Sequence, residues 1–458
     1  MPLTPRTRLL TATVLGLALV APAPATAAAA RCTVAVPGAA YEVGACLPDL
    51  TTAGTVADGH SDPAQWAGLQ PAGTHNPTGV PGTQIDGYFP DTSAFNTTHG
   101  WNHDSQFVIR LPDHWNGGLV VAGTPGNRAQ YANDFTISDW VLARGYAYAA
   151  TDKGNVGPTF YRDGRRPGDA VAEWNARVTQ LARAAKSAVA RRYGRAPSRT
   201  YAAGLSNGGY LVRWQLENHP ELYSGGVDWE GTLFRADGPN LFTYLPSLLK
   251  NYPAYAAGSP AAHSALLSAG LAPGSEFLWA YHEQVYWDLT QRIYREEFDP
   301  AYDGATEAGT PYCASGTPAC DADYDYTARP RSVHQAVARV SLTGRIRRPL
   351  ITLQGTLDTL LPISQDSDVY ARMVRAHSGS RSGSGSGSGD FRYYRITGGN
   401  HVDGLYDTYP DRLRPILPCF RSAFTALEGW SAGHRPPPSA TLPRPTSGDL
   451  ANTCSLAP

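Results

Sequence analysis

The sequence predicts an α/β protein, a mostly parallel sheet with helices on both faces and an inserted cap, and three observations carry that prediction. Short apolar runs alternate with longer amphipathic segments through residues 106–230, a spacing that requires right-handed crossovers between parallel strands. The alternation stops at about Gly231 and resumes at Pro349, and the stretch between is too long and too rich in helical patterning to be a loop. A tight turn, Gly204-Leu205-Ser206-Asn207-Gly208, sits where one apolar run gives way to a helical one.

The first residues have a separate role. Arg6 and Arg8 precede an apolar run from Leu9 to Val20, and Ala25-Thr26-Ala27 follows as a small-x-small site, so residues 1–30 read as a secretory signal peptide. The run is shorter than the ~20 residues a spanning helix needs. An exported, extracellular chain with no membrane span is expected. In an oxidising compartment the six cysteines favour disulfides over metal ligation. Proximity pairs Cys32 with Cys46, Cys313 with Cys320 and Cys419 with Cys454. The formal net charge is −1 and no basic tract occurs, so a nucleic-acid partner is not expected.

Residues 31–105, rich in Gly, Pro, Thr and Asp, read as a loop-rich N-terminal region. The first part of the core, 106–230, starts with strands at Phe107–Leu111 and Gly118–Ala122, the turn Gly123-Thr124-Pro125-Gly126, a short helical segment through Leu142 and a strand at Gly145–Ala150. Val171, Trp174, Val178, Leu181, Ala185 and Ala188 then form one apolar stripe at helical spacing, which Pro197 ends before the strand that leads to Ser206. Residues 231–345 form the cap, with a helical stretch from Phe277 to Phe298. The second part of the core, 346–432, contains strands at Leu350–Leu353 and Phe391–Ile396, a helix around Val369 to Ala376, a Ser-Gly tract from Ser378 to Gly389 expected to be a flexible surface loop, and a terminal helix from about Leu413 to Trp430. A Pro-rich tail, 433–458, closes the chain.

The turn at Ser206 matches the Gly-x-Ser-x-Gly pattern of a nucleophile on a strand-to-helix elbow, where the flanking residues must be small. A serine hydroxyl becomes a nucleophile at neutral pH only beside an imidazole, and the imidazole needs an acid to hold its tautomer and its developing charge. In the α/β-hydrolase arrangement these groups follow the chain order Ser, Asp or Glu, His, each after a core strand. Here that order is met by Ser206, Asp358 in Gly355-Thr356-Leu357-Asp358, and His401 in Gly398-Gly399-Asn400-His401. Asp228 and Glu230, at the end of the preceding core strand, are the alternatives to Asp358; His377 and His434 compete with His401 but follow no core strand. The backbone N–H of Asn207 is one expected oxyanion donor. The second comes from the turn after the early strand, at Gly123 or Thr124, since Pro125 has no N–H.

These residues resemble the α/β-hydrolase superfamily and its secreted serine esterases. Pro112-Asp113-His114-Trp115-Asn116-Gly117, the Gly-rich turn after Val121 and Leu142-Ala143-Arg144-Gly145-Tyr146-Ala147 are similar to the tannase and feruloyl esterase family. That resemblance implies cleavage of aromatic carboxylic esters. The family's usual cysteines before the nucleophile and the histidine are replaced by Leu205 and Asn400, and hydroxyalkanoate ester hydrolases share the same plan. The expected activity is therefore serine carboxylic ester hydrolysis through an acyl-enzyme, on a small-molecule or polymeric ester, with no metal or cofactor needed for the chemistry. A peptidase or amidase on the same scaffold and a non-catalytic binding protein are the competing readings.

In the cap, Trp279, Tyr286 and Trp287 can line an apolar acyl pocket or form the cap's own core. Asp321-x-Asp323-x-Asp325 has the opening spacing of a calcium loop, but Tyr326 stands where such a loop needs glycine and no glutamate closes it. A solvated acidic loop is expected.

Overall fold

The computed structural model describes residues 32–91, 98–302, 321–379 and 390–457. The signal peptide at 1–30, the Cys313–Cys320 pair and residues 380–389 of the Ser-Gly tract lie outside them.

Ten strands form one sheet in the order β1-β2-β3-β5-β4-β6-β7-β8-β9-β10. They are β1 (Tyr41–Leu47), β2 (Gly82–Phe89), β3 (Ser105–Pro112), β4 (Gly118–Gly123), β5 (Ala147–Thr151), β6 (Arg199–Leu205), β7 (Gly225–Trp229), β8 (Leu350–Gly355), β9 (Phe391–Ile396) and β10 (Ala440–Leu442). From β5 through β4 to β10 every pairing is parallel; β1, β2, β3 and β5 pair antiparallel. The helices are α1 (Thr52–Ala57), α2 (Asp139–Ala143), α3 (Asp169–Tyr193), α4 (Asn207–Asn218), α5 (Leu241–Ala256), α6 (Pro260–Ser268), α7 (Glu276–His282), α8 (Asp288–Phe298), α9 (Arg331–Ala338), α10 (Ser367–Gly379) and α11 (Leu417–Ser431).

Side chains alternate across the sheet and build one hydrophobic cluster on each face. Leu119, Val121, Ala149 and Ala202 meet the apolar stripe of α3, including Trp174, Val178 and Leu181. Val120, Ala122, Ala150 and Ala203 meet Phe420, Phe424 and Leu427 of α11. The parallel centre is thus covered on both sides, which explains its near-continuous apolar strands.

Two segments differ from expectation. The N-terminal region is not merely loop, because β1 and β2 extend the sheet and a Cys32–Cys46 disulfide joins β1 to the preceding segment. Its strands carry no hydrophobic alternation since β2 buries polar groups. Gln84 accepts from Arg110 Nε at 2.8 Å, while Arg110 also reaches Asp134 at 2.6 Å and Ser138 at 2.9 Å. The Pro-rich tail likewise adds β10 beside β9, and the Cys419–Cys454 disulfide ties it to α11.

Between β7 and β8, helices α5 to α9 form the inserted region. The expected run from Phe277 to Phe298 is a continuous helix with a π-turn at Glu283–Trp287 between α7 and α8. The acidic segment after it is not a solvated loop at its start. Asp321 is buried with φ +58° and receives Arg295 Nε at 2.8 Å and Arg292 Nη1 at 3.2 Å. Two guanidinium groups stand where the spacing alone suggested a hard cation.

No helix among the described residues is long and apolar enough to cross a membrane.

Candidate active site

Ser206 links β6 to α4 with φ +58° and ψ −123°, a conformation that costs a non-glycine residue energy and is over-determined by its surroundings. Its N–H donates to Trp229 O at 2.9 Å, and its carbonyl starts the ladder of α4. The elbow needs glycine on both sides. A Cβ at Gly204 would lie 2.3 Å from Gly208 O, and one at Gly208 would lie 2.1 Å from Gly123 O. Strands β4 and β6 and the first turn of α4 touch there through backbone alone.

Three strand ends bring the candidate groups together. Leu357 N donates to Gly399 O at 2.8 Å, tying the loop after β8 to the loop after β9. His401 Nδ1 lies 2.9 Å from Asp358 Oδ2 and its Nε2 lies 3.0 Å from Ser206 Oγ. Asp358 is itself held: its Oδ1 accepts from the N–H groups of Leu360 and Leu361, each at 2.8 Å, and Oδ2 accepts from Gln354 Nε2 at 2.8 Å. These bonds fix the orientation of the side chain beside the imidazole.

The alternatives named from sequence separate clearly. Asp228 is occupied by Arg213 Nε at 2.6 Å, Thr352 Oγ1 at 2.9 Å and Gly231 N at 2.8 Å, and so serves the core. Glu230 approaches His401 Nδ1 to 3.5 Å, but its Oε1 accepts from Gly355 N and its Oε2 has no hydrogen-bond partner. Burial, reinforced by the Asp358 charge, pushes its carboxyl well above the usual range. His377 on α10 and His434 beyond α11 do not line the cavity that holds Ser206.

That cavity, of about 370 Å³, has Ser206, Asn207 and His401 in its floor and Tyr286, Leu289 and Ile293 of the inserted region in its wall. Residues 67–69 and 125–128 complete the rim. Tyr286 therefore takes the first of the two placements the sequence allowed, lining the cavity, whereas Trp279 and Trp287 take the second and form the inserted region's own core. Both are fully buried away from the cavity. Trp279 packs on Tyr255 and donates to Ser275 Oγ at 2.8 Å, and Trp287 packs on Tyr252 and donates to Thr359 O at 2.7 Å.

The turn expected to supply a second oxyanion donor meets the cavity further along the chain. Gly123 is still a ladder residue of β4, and the buried Thr124 spends its hydroxyl on Thr151 O at 3.2 Å, so neither lines the cavity. The turn closes later, with Arg128 N donating to Pro125 O at 3.1 Å, and presents Gly126 and Asn127 instead. Asn207 stays at the cavity floor, where its N–H opens α4 and has no acceptor within the helix. Its side chain donates to Gly126 O at 3.0 Å and to Tyr294 Oη, while its Oδ1 accepts from Thr232 Oγ1 at 2.9 Å. Asn207 thereby orients the turn it faces.

Three residues here carry no sequence signal. Lys153, with φ +72°, points Nζ under the same turn, 2.6 Å from Thr124 Oγ1 and 3.3 Å from Arg128 O; burial lowers its pKa to about 7. His282 of α7 is fully buried without a hydrogen bond to either ring nitrogen, and burial lowers it to about 3. Arg128 reaches the cavity rim from the turn itself. Each lies outside any local motif, and only the folded chain brings it to the site.

Residues 93–228 match the family model described as tannase and feruloyl esterase. Among solved structures, feruloyl esterase B from Aspergillus oryzae is similar with 13% identity over 89% of this chain and 91% of that chain, at a TM-score of 0.50. A tannin acyl hydrolase from Aspergillus niger is similar with 12% identity over 89% of this chain and 86% of that one, at a TM-score of 0.49. No curated protein sequence matches this chain. The protein has the α/β-hydrolase fold, and its sequence resembles the tannase and feruloyl esterase family.

Proposed function

We propose that this chain is a secreted serine hydrolase that cleaves carboxylic esters through an acyl-enzyme. The observation that carries the reading is the linked arrangement of Ser206 Oγ, His401 and Asp358 at 3.0 and 2.9 Å in the floor of a cavity. Asp358 accepts a hydrogen bond from His401 Nδ1–H, which leaves Nε2 free to take the proton from Ser206 as Oγ attacks the ester carbonyl. The tetrahedral oxyanion is held by Asn207 N–H and by an N–H of the 126–127 turn. The leaving alcohol takes the proton back from His401. Water, activated by the same imidazole, then releases the acid and regenerates Ser206.

The family resemblance supports an ester as substrate, and the apolar wall of the cavity suits an acyl group of aromatic or short aliphatic type. The two disulfides and the N-terminal signal pattern support export.

The reading is tested with p-nitrophenyl esters beside the matching anilides, on wild type and Ser206→Ala. Ester turnover should fall by about 10⁴-fold or more in the variant, with anilides cleaved poorly by both. A fluorophosphonate should label Ser206. Ester turnover that survives Ser206→Ala in folded protein overturns the mechanism, and preferred cleavage of the anilides makes the protein an amidase.

A further inference from the structure

We infer that Arg128 forms a carboxylate subsite, so that the preferred substrate is an ester carrying a second, ionised carboxylate. The inference rests on the ester-hydrolase reading for its reaction and on Arg128 for its specificity.

Arg128 ends the turn that faces Ser206 and lines the same cavity as Ser206 and His401. Its Nη1 donates to two carbonyls, Gln65 O at 2.6 Å and Ala67 O at 3.2 Å. Ala129 N, next in the chain, donates to Gln65 Oε1 at 3.1 Å. One edge of the guanidinium is thus anchored and the group is held in a set orientation. Those bonds satisfy hydrogens but supply no counter-charge.

The surroundings supply none either. No Asp or Glu lines the cavity, and no ion pair to Arg128 occurs among the described residues. Burial lowers its pKa, and the titratable groups that bear on it are the phenols of Tyr286 and Tyr281 on the opposite wall. A partly desolvated cation without an anion is costly, and the cost is recovered when a bound carboxylate completes the pair. Several arginines drawn into this fold's interior have that partner already: Arg110 has Asp134, Arg213 has Asp228, and Arg295 has Asp321. Arg414, buried without an ion pair among the described residues, spends Nη1 on Leu442 O and Pro443 O and does not line this cavity. Arg128 lacks its anion where a ligand beside Ser206 can bring one.

Two sources share this chemistry, the half-ester of a dicarboxylic acid and the free end of a hydroxy-acid oligoester. Monomethyl adipate against dimethyl adipate tests the first, and the 3-hydroxybutyrate dimer against its methyl ester tests the second. Each pair is titrated calorimetrically into Ser206→Ala protein, with and without Arg128→Gln, and turned over by wild type and Arg128→Gln. At least one carboxylate form should be favoured about tenfold over its neutral partner in binding and in kcat/KM. That ratio should fall to near one in Arg128→Gln, mainly through KM, and should return in part in Arg128→Lys. Which pair shows the preference identifies the source. A ratio near one for both pairs in wild type, or a preference that persists in folded Arg128→Gln, overturns the inference. Binding is read in Ser206→Ala protein, so absent turnover with the binding preference intact counts against the esterase reading while leaving the subsite standing.

Discussion

The strand-end platform and the inserted helices meet at one cavity but are built by different rules. On the platform, the three groups we propose as reactive sit at strand ends and are located by backbone: Ser206 by its strained elbow, Asp358 by two backbone N–H groups and His401 by a loop bonded to its neighbour. In the inserted region, aromatic side chains set the structure, and a single turn of helix decides which of them faces the cavity. Tyr286 lines it while Trp287, its neighbour, is buried with its indole N–H on Thr359 O. Chemistry can therefore be held rigidly on the platform while the shape of the substrate pocket varies above it.

The sharpest way to break that contrast is inside the inserted region. Trp279→Ala removes a fully buried indole and should cost about 4 kcal/mol of stability, read by denaturant unfolding. Tyr286→Ala should cost about 1 kcal/mol but raise KM several-fold for a bulky ester. Equal effects of the two on KM would show that the inserted region acts as a unit, without separate core and wall.

On the platform, Gly208→Ala should cost about 3 kcal/mol, because its Cβ would lie 2.1 Å from Gly123 O and both partners are backbone. Activity should fall with it, since β4 leads into the turn proposed to hold the oxyanion. A variant of wild-type stability and turnover would mean that the elbow is looser than its contacts indicate.

A pH-dependent effect, spread over several pH units, concerns Lys153 beneath that turn. Its pKa is lowered from 10.5 to about 7 in the folded chain. Between those values the unfolded chain holds a proton that the folded chain has shed, so this group makes stability rise with pH across that window, by up to about 1.4 kcal/mol per pH unit. Below pH ~7 both states carry the proton and the contribution is flat. Lys153→Met should remove that slope, as measured by unfolding at several pH values. An unchanged slope would show that Lys153 stays charged and clamps the turn as a cation.

Legibility followed the same division between platform and inserted region. The elbow, the order of Ser206, Asp358 and His401, and the apolar stripe of α3 are local patterns, so they could be read directly. Strands β1 and β2 could not, because Gln84 and Asp86 are buried there by partners far along the chain. The residues of the turn that line the cavity, Pro125 to Arg128, lie beyond Gly123 and Thr124, since β4 runs on to Gly123 and nothing in Gly123-Thr124-Pro125-Gly126 marks where the ladder stops.

The order of the reactive residues and the small residues around Ser206 follow from sequence alone, because they answer to the backbone geometry of a strand-to-helix turn. Which carboxyl lies nearer His401 was decided only by the fold. Asp358 and Glu230 both approach the imidazole, but Asp358 Oδ2 lies 2.9 Å from Nδ1, while Glu230 stands 3.5 Å away with its Oε1 on Gly355 N. The same holds for Arg128: its missing counter-charge is a property of the assembled cavity, and no local pattern in the chain encodes it.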